Sequence, residues 1–464
     1  MTPDIFQDPK VISLGKKLSL TELISHLNEL DDLLIHCTRC GFCQEVCPVY
    51  GATLREADVT RGKIALLEDL ALKITKDVVG VGERLNRCLL CTSCENICPS
   101  GVKIMDIFIR ARTIVTAYRG LGPVKRAIFH FLLKHPRIFN ELTRLAAIFQ
   151  FPFLKRQSDL LQTYSLPLVR PLFGGRHIPA FPGESFTKSY PSLRLTNAEN
   201  RFSVLYFPGC VPDKLFRNIS EATLRVLKFH KVGIIMPEDL NCCGIPCLSS
   251  GDEIGFLTLM QQNLKKIREE KFSFLVTSCA TCASTIKEIW PRFRTRFTLE
   301  NLKTLDYLKD HTLDITSFLI KVLKIQDHLP NEPLPDTATP KLRVTYHDPC
   351  HLYRSMGISN EPRTILKSLK AYEYVEMPEA NHCCGNGGSF NLFHYDISKQ
   401  IGQRKRDNIV KVKPDIVATS CPACMLQIMD SLSQNQDDIL VKHVVELYAQ
   451  EIINKGVEGK NNTF

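Results

Sequence analysis

Eight of the chain's 19 cysteines form two consecutive C-x2-C-x2-C-x3-C-P runs. Cys37, Cys40, Cys43 and Cys47 precede Pro48; after forty residues, Cys88, Cys91, Cys94 and Cys98 precede Pro99. Two-residue gaps let three thiolates converge on one centre, while the fourth, beyond a turn, points the other way. The spacing predicts ligands that cross between runs. Cys37, Cys40, Cys43 and Cys98 would hold one [4Fe-4S] cluster, and Cys88, Cys91, Cys94 and Cys47 a second. Proline after each last cysteine removes a backbone N–H and stops the local turn. Structural zinc also uses C-x2-C pairs, but four cysteines per run with that proline favour iron and sulfide.

Ten further cysteines form a unit written twice with a period of about 140 residues, the kind of self-similarity that marks a repeated supersecondary structure. The first copy is Cys210, 31 residues, Cys242-Cys243-Gly244, 34 residues, Cys279-x2-Cys282. The second is Cys350, 32 residues, Cys383-Cys384-Gly385, 35 residues, Cys421-x2-Cys424. Flanking sequence repeats too: VLYFPGC matches VTYHDPC, GIIMPEDLNCCG matches YVEMPEANHCCG, and FLVTSCATC matches IVATSCPAC. Adjacent cysteines point apart in most backbones, so both reach one object only if it is large or bridging. The glycine after each pair permits positive φ and close approach. Five thiolates exceed what one zinc ion or an ordinary cubane needs.

The elements that position these residues follow from periodicity. Ser19 and Glu22 form a capping box, and Leu20, Leu23, Ile24, Leu27, Leu30 and Leu34 make a helical stripe leading into Cys37. READVTRGKIALLEDLAL and KIMDIFIRARTIVTAY also scan as helices, so the N-terminal third reads as all-helical. In each later copy a β-branched or aromatic run ends at a cysteine loop, a helical stretch follows, and further strands end at CCG and at C-x2-C. This predicts an α/β unit with cysteines at the carboxyl ends of parallel strands, where such sheets bind ligands. Cys279 and Cys421 would sit at helix N-caps with Cys282 and Cys424 in the first turn, where unpaired N–H groups and the dipole favour thiolate. Between the two regions, residues 115–200 hold eight prolines and an aromatic stripe including Phe129, Phe131, Ile138, Phe139, Leu142, Leu145, Ile148 and Phe149. Packing against the flanking domains is the expectation for that stripe, with a membrane or partner face as the alternative.

Composition excludes several classes. With 44% apolar and 23% charged residues, the chain is ordinary globular material. Its N-terminus lacks the apolar segment of a secretory signal and no run is long enough to span a bilayer, so a reducing cytoplasm is expected. Of the net charge of +10, residues 115–200 supply twelve Lys and Arg against four acids. No nucleic-acid motif accompanies them, which favours an acidic partner or anionic lipid over nucleic acid. No G-x-G-x-x-G follows a strand, and the glycines of GVGER, Gly80 and Gly82, lack a third; no flavin or nicotinamide site is expected here. Cys247 is left over as a buried free thiol, with an additional ligand or redox-active thiol as the alternative. His347, His351 and His382 lie beside cysteines as candidate hydrogen-bond partners rather than ligands.

The double C-x31-CCG-x34-C-x2-C unit, with HDPCH and SCPAC around it, resembles the CCG domain of heterodisulfide reductase. That resemblance implies one non-cubane [4Fe-4S] cluster on Cys210, Cys242, Cys243, Cys279 and Cys282, and another on Cys350, Cys383, Cys384, Cys421 and Cys424. Joined to a two-cluster ferredoxin region, and with TRGKIALL, YFPGC, CCGIP, CCGNGGSF and TSCPACMLQ, the chain is similar to iron–sulfur subunits of glycolate oxidase and flavin-linked D-lactate dehydrogenase. The resemblance implies an oxidoreductase subunit that carries electrons from an FAD-containing, 2-hydroxy-acid-oxidising partner to a quinone or soluble carrier, with heterodisulfide reduction as the alternative. The expected fold is α plus α/β. A helical ferredoxin domain with two cubane clusters spans 1–114, and a basic connector, the candidate for peripheral contact with the cytoplasmic face of a membrane, spans 115–200. CCG units with one or two further clusters follow at 201–330 and 331–455, then a polar tail at 456–464.

Overall fold

The computed structural model describes residues 17–150, 155–165, 174–196, 200–328 and 340–457. Residues 1–16, Pro152, Pro167, Pro171 and most of the polar tail lie outside the described residues.

Among the described residues up to 119 every regular element is helical. Ser19 caps helix Leu20–Asn28 in a complete capping box with Glu22. The stripe beneath it is buried at Leu23, Ile24, Leu27, Leu30 and Leu34, but Leu20 stands exposed. The helix also stops short of the first cysteine: a short turn at Asp31–Leu34 intervenes. READVTRGKIALLEDLAL divides at Val59, whose extended backbone separates a single 3-10 turn, Glu56–Asp58, from helix Thr60–Ala71. Helix Ile104–Arg119 carries ten buried residues, including Arg110 and Arg112, and forms the floor of the N-terminal region. Gly80 and Gly82 lie inside helix Val78–Asn86, far from any strand.

The connector contains helix Pro136–Phe149 and an antiparallel three-stranded sheet that periodicity did not suggest: β1 (Lys155–Ser158), β2 (Thr163–Ser165) and β3 (Ile178–Pro179). The packing expectation for its aromatic stripe fails in part. Phe129 is buried, whereas Phe131, Ile138, Leu142, Leu145, Ile148 and Phe149 face solvent. The helix presents Thr143 and Ala147 inward, and those small residues bring its backbone close while turning the larger ones out.

The repeat folds as two parallel sheets with the same strand order. In the first, β4 (Leu193–Leu195), β5 (Ser203–Tyr206), β6 (Gly233–Met236), β7 (Phe274–Thr277) and β8 (Thr312–Asp314) lie in the order β4-β6-β5-β7-β8, with only β4 antiparallel. In the second, β9 (Leu342–His347), β10 (Tyr372–Tyr374), β11 (Ile416–Thr419) and β12 (Leu440–His443) lie β10-β9-β11-β12. Leu205 pairs with Leu275, and Thr345 with Val417. The central strands are short and apolar because helices cover both faces, as parallel crossovers require. Helices Arg217–Phe229 and Val444–Val457 pack together between the sheets, where His230 stacks on Tyr448 and bonds its hydroxyl at 2.8 Å.

Candidate metal centres

Each N-terminal run bends its cysteines inward through the same two backbone kinks. Arg39 and Gly41 in the first run, and Leu90 and Thr92 in the second, have positive φ of 58°, 95°, 52° and 60°. Three of these four are not glycine, and such left-handed residues persist where the surroundings over-determine them, often at functional sites. Pro48 does more than end a turn. It opens helix Pro48–Thr53 at its first position, and the Cys47 sulfur caps that helix by accepting from Tyr50 N–H at 3.4 Å.

The thiols gather across the runs. Cys47 lines one cavity with Cys88, Cys91 and Cys94. Cys98 lines a second with Cys37, Cys40 and Cys43, and Cys94 stands in the wall between the two. Burial pushes the Cys47 thiol up to about 12 and raises Cys43 and Cys94. Thiols that burial raises, as at Cys47 and Cys94, suit a cationic iron centre, since metal binding supplies the charge that stabilises thiolate. Sequence reading did not single out Lys63. Its ammonium is buried, donates to Asp58 O, and lies near Cys47 and Cys88; burial lowers its pKa while those sulfurs raise it. The signal was present: Thr60, Lys63, Ile64 and Leu67 share one helical face, and a lysine on an apolar face needs an anionic partner.

The ten cysteines of the two later units line a single cavity. Cys279 and Cys421 are the N-caps of helices Ala280–Ser284 and Pro422–Gln434, and Cys282 and Cys424 lie in the first turns. The two caps meet across the cavity: Ala280 N–H donates to Ser420 O at 3.2 Å, and Thr281 Oγ1 lies 3.6 Å from Cys421 Sγ. Cys242-Cys243 and Cys383-Cys384 come in from loops, each followed by a glycine at φ 93° or 94°. Hydrogen bonds among these thiols set alternate charge preferences. Cys243 is held well below the usual thiol range by Cys242 and Cys282, Cys384 by Cys383 and Cys424, and Cys421 by Cys279 and Cys424. Their donors, Cys242 and Cys424, are raised.

The cavities adjoin. Leu89, Leu90 and Met105 line both the Cys47 cavity and the large one, and the thiols of Cys91 and Cys383 are hydrogen-bonded. Arg354 donates to Cys91 O at 3.5 Å and to Asn381 O at 2.7 Å. Cys247 lies outside this assembly, fully buried, its thiol raised by burial and by Asp252. His351 lines the large cavity; burial pushes His347 down to about 3 and His382 to about 4.

The chain carries a 4Fe-4S dicluster domain, matched over residues 34–102, and two copies of the Cysteine-rich domain CCG, matched over 204–287 and 344–429, which mark an iron–sulfur protein. It is an iron–sulfur subunit homologous to those of glycolate oxidase. The probable glycolate oxidase iron-sulfur subunit of Bacillus subtilis (strain 168) is 29% identical, over 85% of this chain and 88% of that protein. The glycolate oxidase iron-sulfur subunit of Escherichia coli (strain K12) is 24% identical over 91% and 95%. A component of the dihydromethanophenazine:CoB–CoM heterodisulfide reductase of Methanosarcina barkeri is also 24% identical, over 90% and 93%. Among the described residues no helix is long and apolar enough to cross a membrane.

Proposed function

We propose that the chain relays electrons within a complex that oxidises a 2-hydroxy acid, glycolate or D-lactate, receiving them from an FAD-containing partner and delivering them to a quinone or soluble carrier. Cys37, Cys40, Cys43 and Cys98 would hold one cubane cluster; Cys88, Cys91, Cys94 and Cys47 the other. Cys210, Cys242, Cys243, Cys279 and Cys282, and Cys350, Cys383, Cys384, Cys421 and Cys424, are the ligand sets for one or two non-cubane clusters. The domain limits are those of residues 1–114, 115–200, 201–330 and 331–455. When bound, the clusters supply one-electron carriers; the protein's part is to hold them in series and keep water out. The observation that carries this reading is the contiguity of the thiol sites: Cys94 lies between the first two, Cys91 touches Cys383, and Cys279 meets Cys421. The exposed apolar face of helix Pro136–Phe149, within the basic connector, suits docking at a partner or membrane surface.

A second reading has one observation in its favour. All ten later cysteines share one chamber, an arrangement that suits a disulfide substrate held between two thiol-ligated centres. Anaerobic purification separates the readings. The relay predicts about 12 to 16 irons and matching sulfide per chain, a copurifying flavoprotein, and cluster reduction by glycolate or D-lactate only in its presence. Zinc without sulfide would sink both readings, and heterodisulfide reduction by the chain alone with an artificial donor would replace the first by the second.

A further inference from the structure

The two thiol cavities of the dicluster region differ in the cations that line them. Arg39 and Arg61 line the cavity of Cys37, Cys40, Cys43 and Cys98. Each is matched by a carboxylate: Arg61 Nε lies 2.7 Å from Glu56 Oε1, and Arg39 is paired with Glu68. Arg39 is also largely exposed, so water screens its charge. Lys63 and Arg87 line the cavity of Cys47, Cys88, Cys91 and Cys94, where Asp58 is the one lining carboxylate among the described residues. Asp58 is fully buried and already has two guanidinium partners, Arg84 at 3.4 Å and Arg87 at 3.7 Å.

The Lys63 ammonium donates to Asp58 O, a backbone carbonyl that anchors it and neutralises nothing. Lys63 is only 2% exposed, so water does not supply the balance. The sulfurs do. Burial raises the Cys47 thiol, and Lys63 is the strongest influence pulling it back down. A buried ammonium whose counter-charge is a thiolate site interacts most strongly with that site when it is most negative. Burial of the thiols works in the opposite sense, because it disfavours each added negative charge. Nearby charge and exposure are both levers on the reduction potential of a cluster.

We propose that Lys63 sets the reduction potential of the Cys47, Cys88, Cys91 and Cys94 site: its buried ammonium raises that potential and acts far less on the site of Cys37, Cys40, Cys43 and Cys98. The step it serves is the gain of one electron from the FAD-containing partner, with no proton taken up and no bond made or broken. Burial opposes the added charge and the ammonium balances it. This assignment rests on the reading that these four cysteines hold a cubane cluster.

The test uses the full chain, purified anaerobically with its iron and sulfide, in a redox titration followed by electron paramagnetic resonance. Lys63→Met, close in length and without charge, should lower the midpoint potential of one cubane centre by about 59 mV or more, a tenfold change in its one-electron equilibrium, and move the other far less. Lys63→Arg should keep both near their wild-type values. Unchanged potentials in Lys63→Met, equal shifts of both centres, or a shift as large in Lys63→Arg each overturn the assignment. Where Lys63→Met assembles no such centre, Lys63→Gln, which keeps a donor for Asp58 O, is held to the same outcomes; loss from both variants makes Lys63 an assembly residue and also overturns it. Cys88→Ala separates the assignment from the reading beneath it. If it removes neither cubane signal, the ligand reading fails and the assignment falls with it; if it removes the signal that Lys63→Met leaves in place, the assignment fails alone.

Discussion

Guanidinium groups tie both cysteine-rich units to the dicluster domain, and a pair of thiols ties the second as well. Arg112, fully buried on helix Ile104–Arg119, donates to Leu85 O at 3.1 Å and Cys88 O at 2.6 Å, and also to Ser249 O, just beyond the first CCG loop. At the second unit Cys91 meets Cys383, and Gly387 sits so close to Leu89 that a Cβ there would lie 2.4 Å from its Cδ2. Two copies of one fold therefore have different neighbours. The contact made by Arg112 is purely polar, while the second unit adds sulfur against sulfur to the polar contact of Arg354.

The sharpest challenge to that contrast is removal of the guanidinium. Arg112→Ala orphans three carbonyls, each costing ~1–3 kcal/mol when buried, so a loss of about 3 kcal/mol or more is expected. Denaturant unfolding under anaerobic conditions measures it. Arg354→Ala, which releases only Cys91 O and Asn381 O near the second unit, should cost less. Equal losses would mean that both contacts are structural.

A smaller effect probes whether the two CCG loops are equally constrained. Alanine at Gly244 meets Phe256 Cδ2 at 2.7 Å, and at Gly385 meets Ser398 O at 2.9 Å, both at positive φ. Each substitution should cost ~1–3 kcal/mol of backbone strain, shown as a lower unfolding temperature. Gly385→Ala should be the worse, since a backbone carbonyl yields less readily than a ring edge.

The smallest effect concerns pH and belongs to the second unit alone. Arg404 beside Glu379, with Asn408 Nδ2 at 2.8 Å, holds that carboxyl down to about 2. A depressed carboxylate contributes stability that is full above its unfolded value, near 4.3, and is lost as pH falls through the folded value. The pair is solvent-exposed, so less than about 1 kcal/mol is at stake. Unfolding followed from pH 5 to 2 should show wild type losing more stability than Arg404→Gln. Parallel curves would remove Glu379 from the account.

Much of this was legible because cysteine spacing and strand periodicity are local. The two C-x2-C-x2-C-x3-C-P runs, the VLYFPGC and VTYHDPC strands, and the N-caps at Cys279 and Cys421 each depend on a few neighbouring residues. The connector was read poorly for the opposite reason. Helix Pro136–Phe149 is long enough to form, but which side of it is covered depends on what lies beside it, and strands as short as β2 and β3 have too few residues for a period to show. Lys63 and Arg112 looked like ordinary helical cations until burial gave them sulfurs and carbonyls as neighbours.

Residue types and intervals alone determined that this chain gathers thiols for iron and sulfide, that it does so in a helical region and a duplicated α/β region, and that it resembles the iron–sulfur components of glycolate oxidase and heterodisulfide reductase. Only the tertiary structure decided that the ten later cysteines share one chamber, that Cys91 abuts Cys383, and that Lys63 stands buried beside Cys47 and Cys88. The physical reason is range: ligand spacing and helix capping act across a few residues, whereas contacts such as Cys91 with Cys383 join residues far apart in sequence and exist only once helices and sheets have packed.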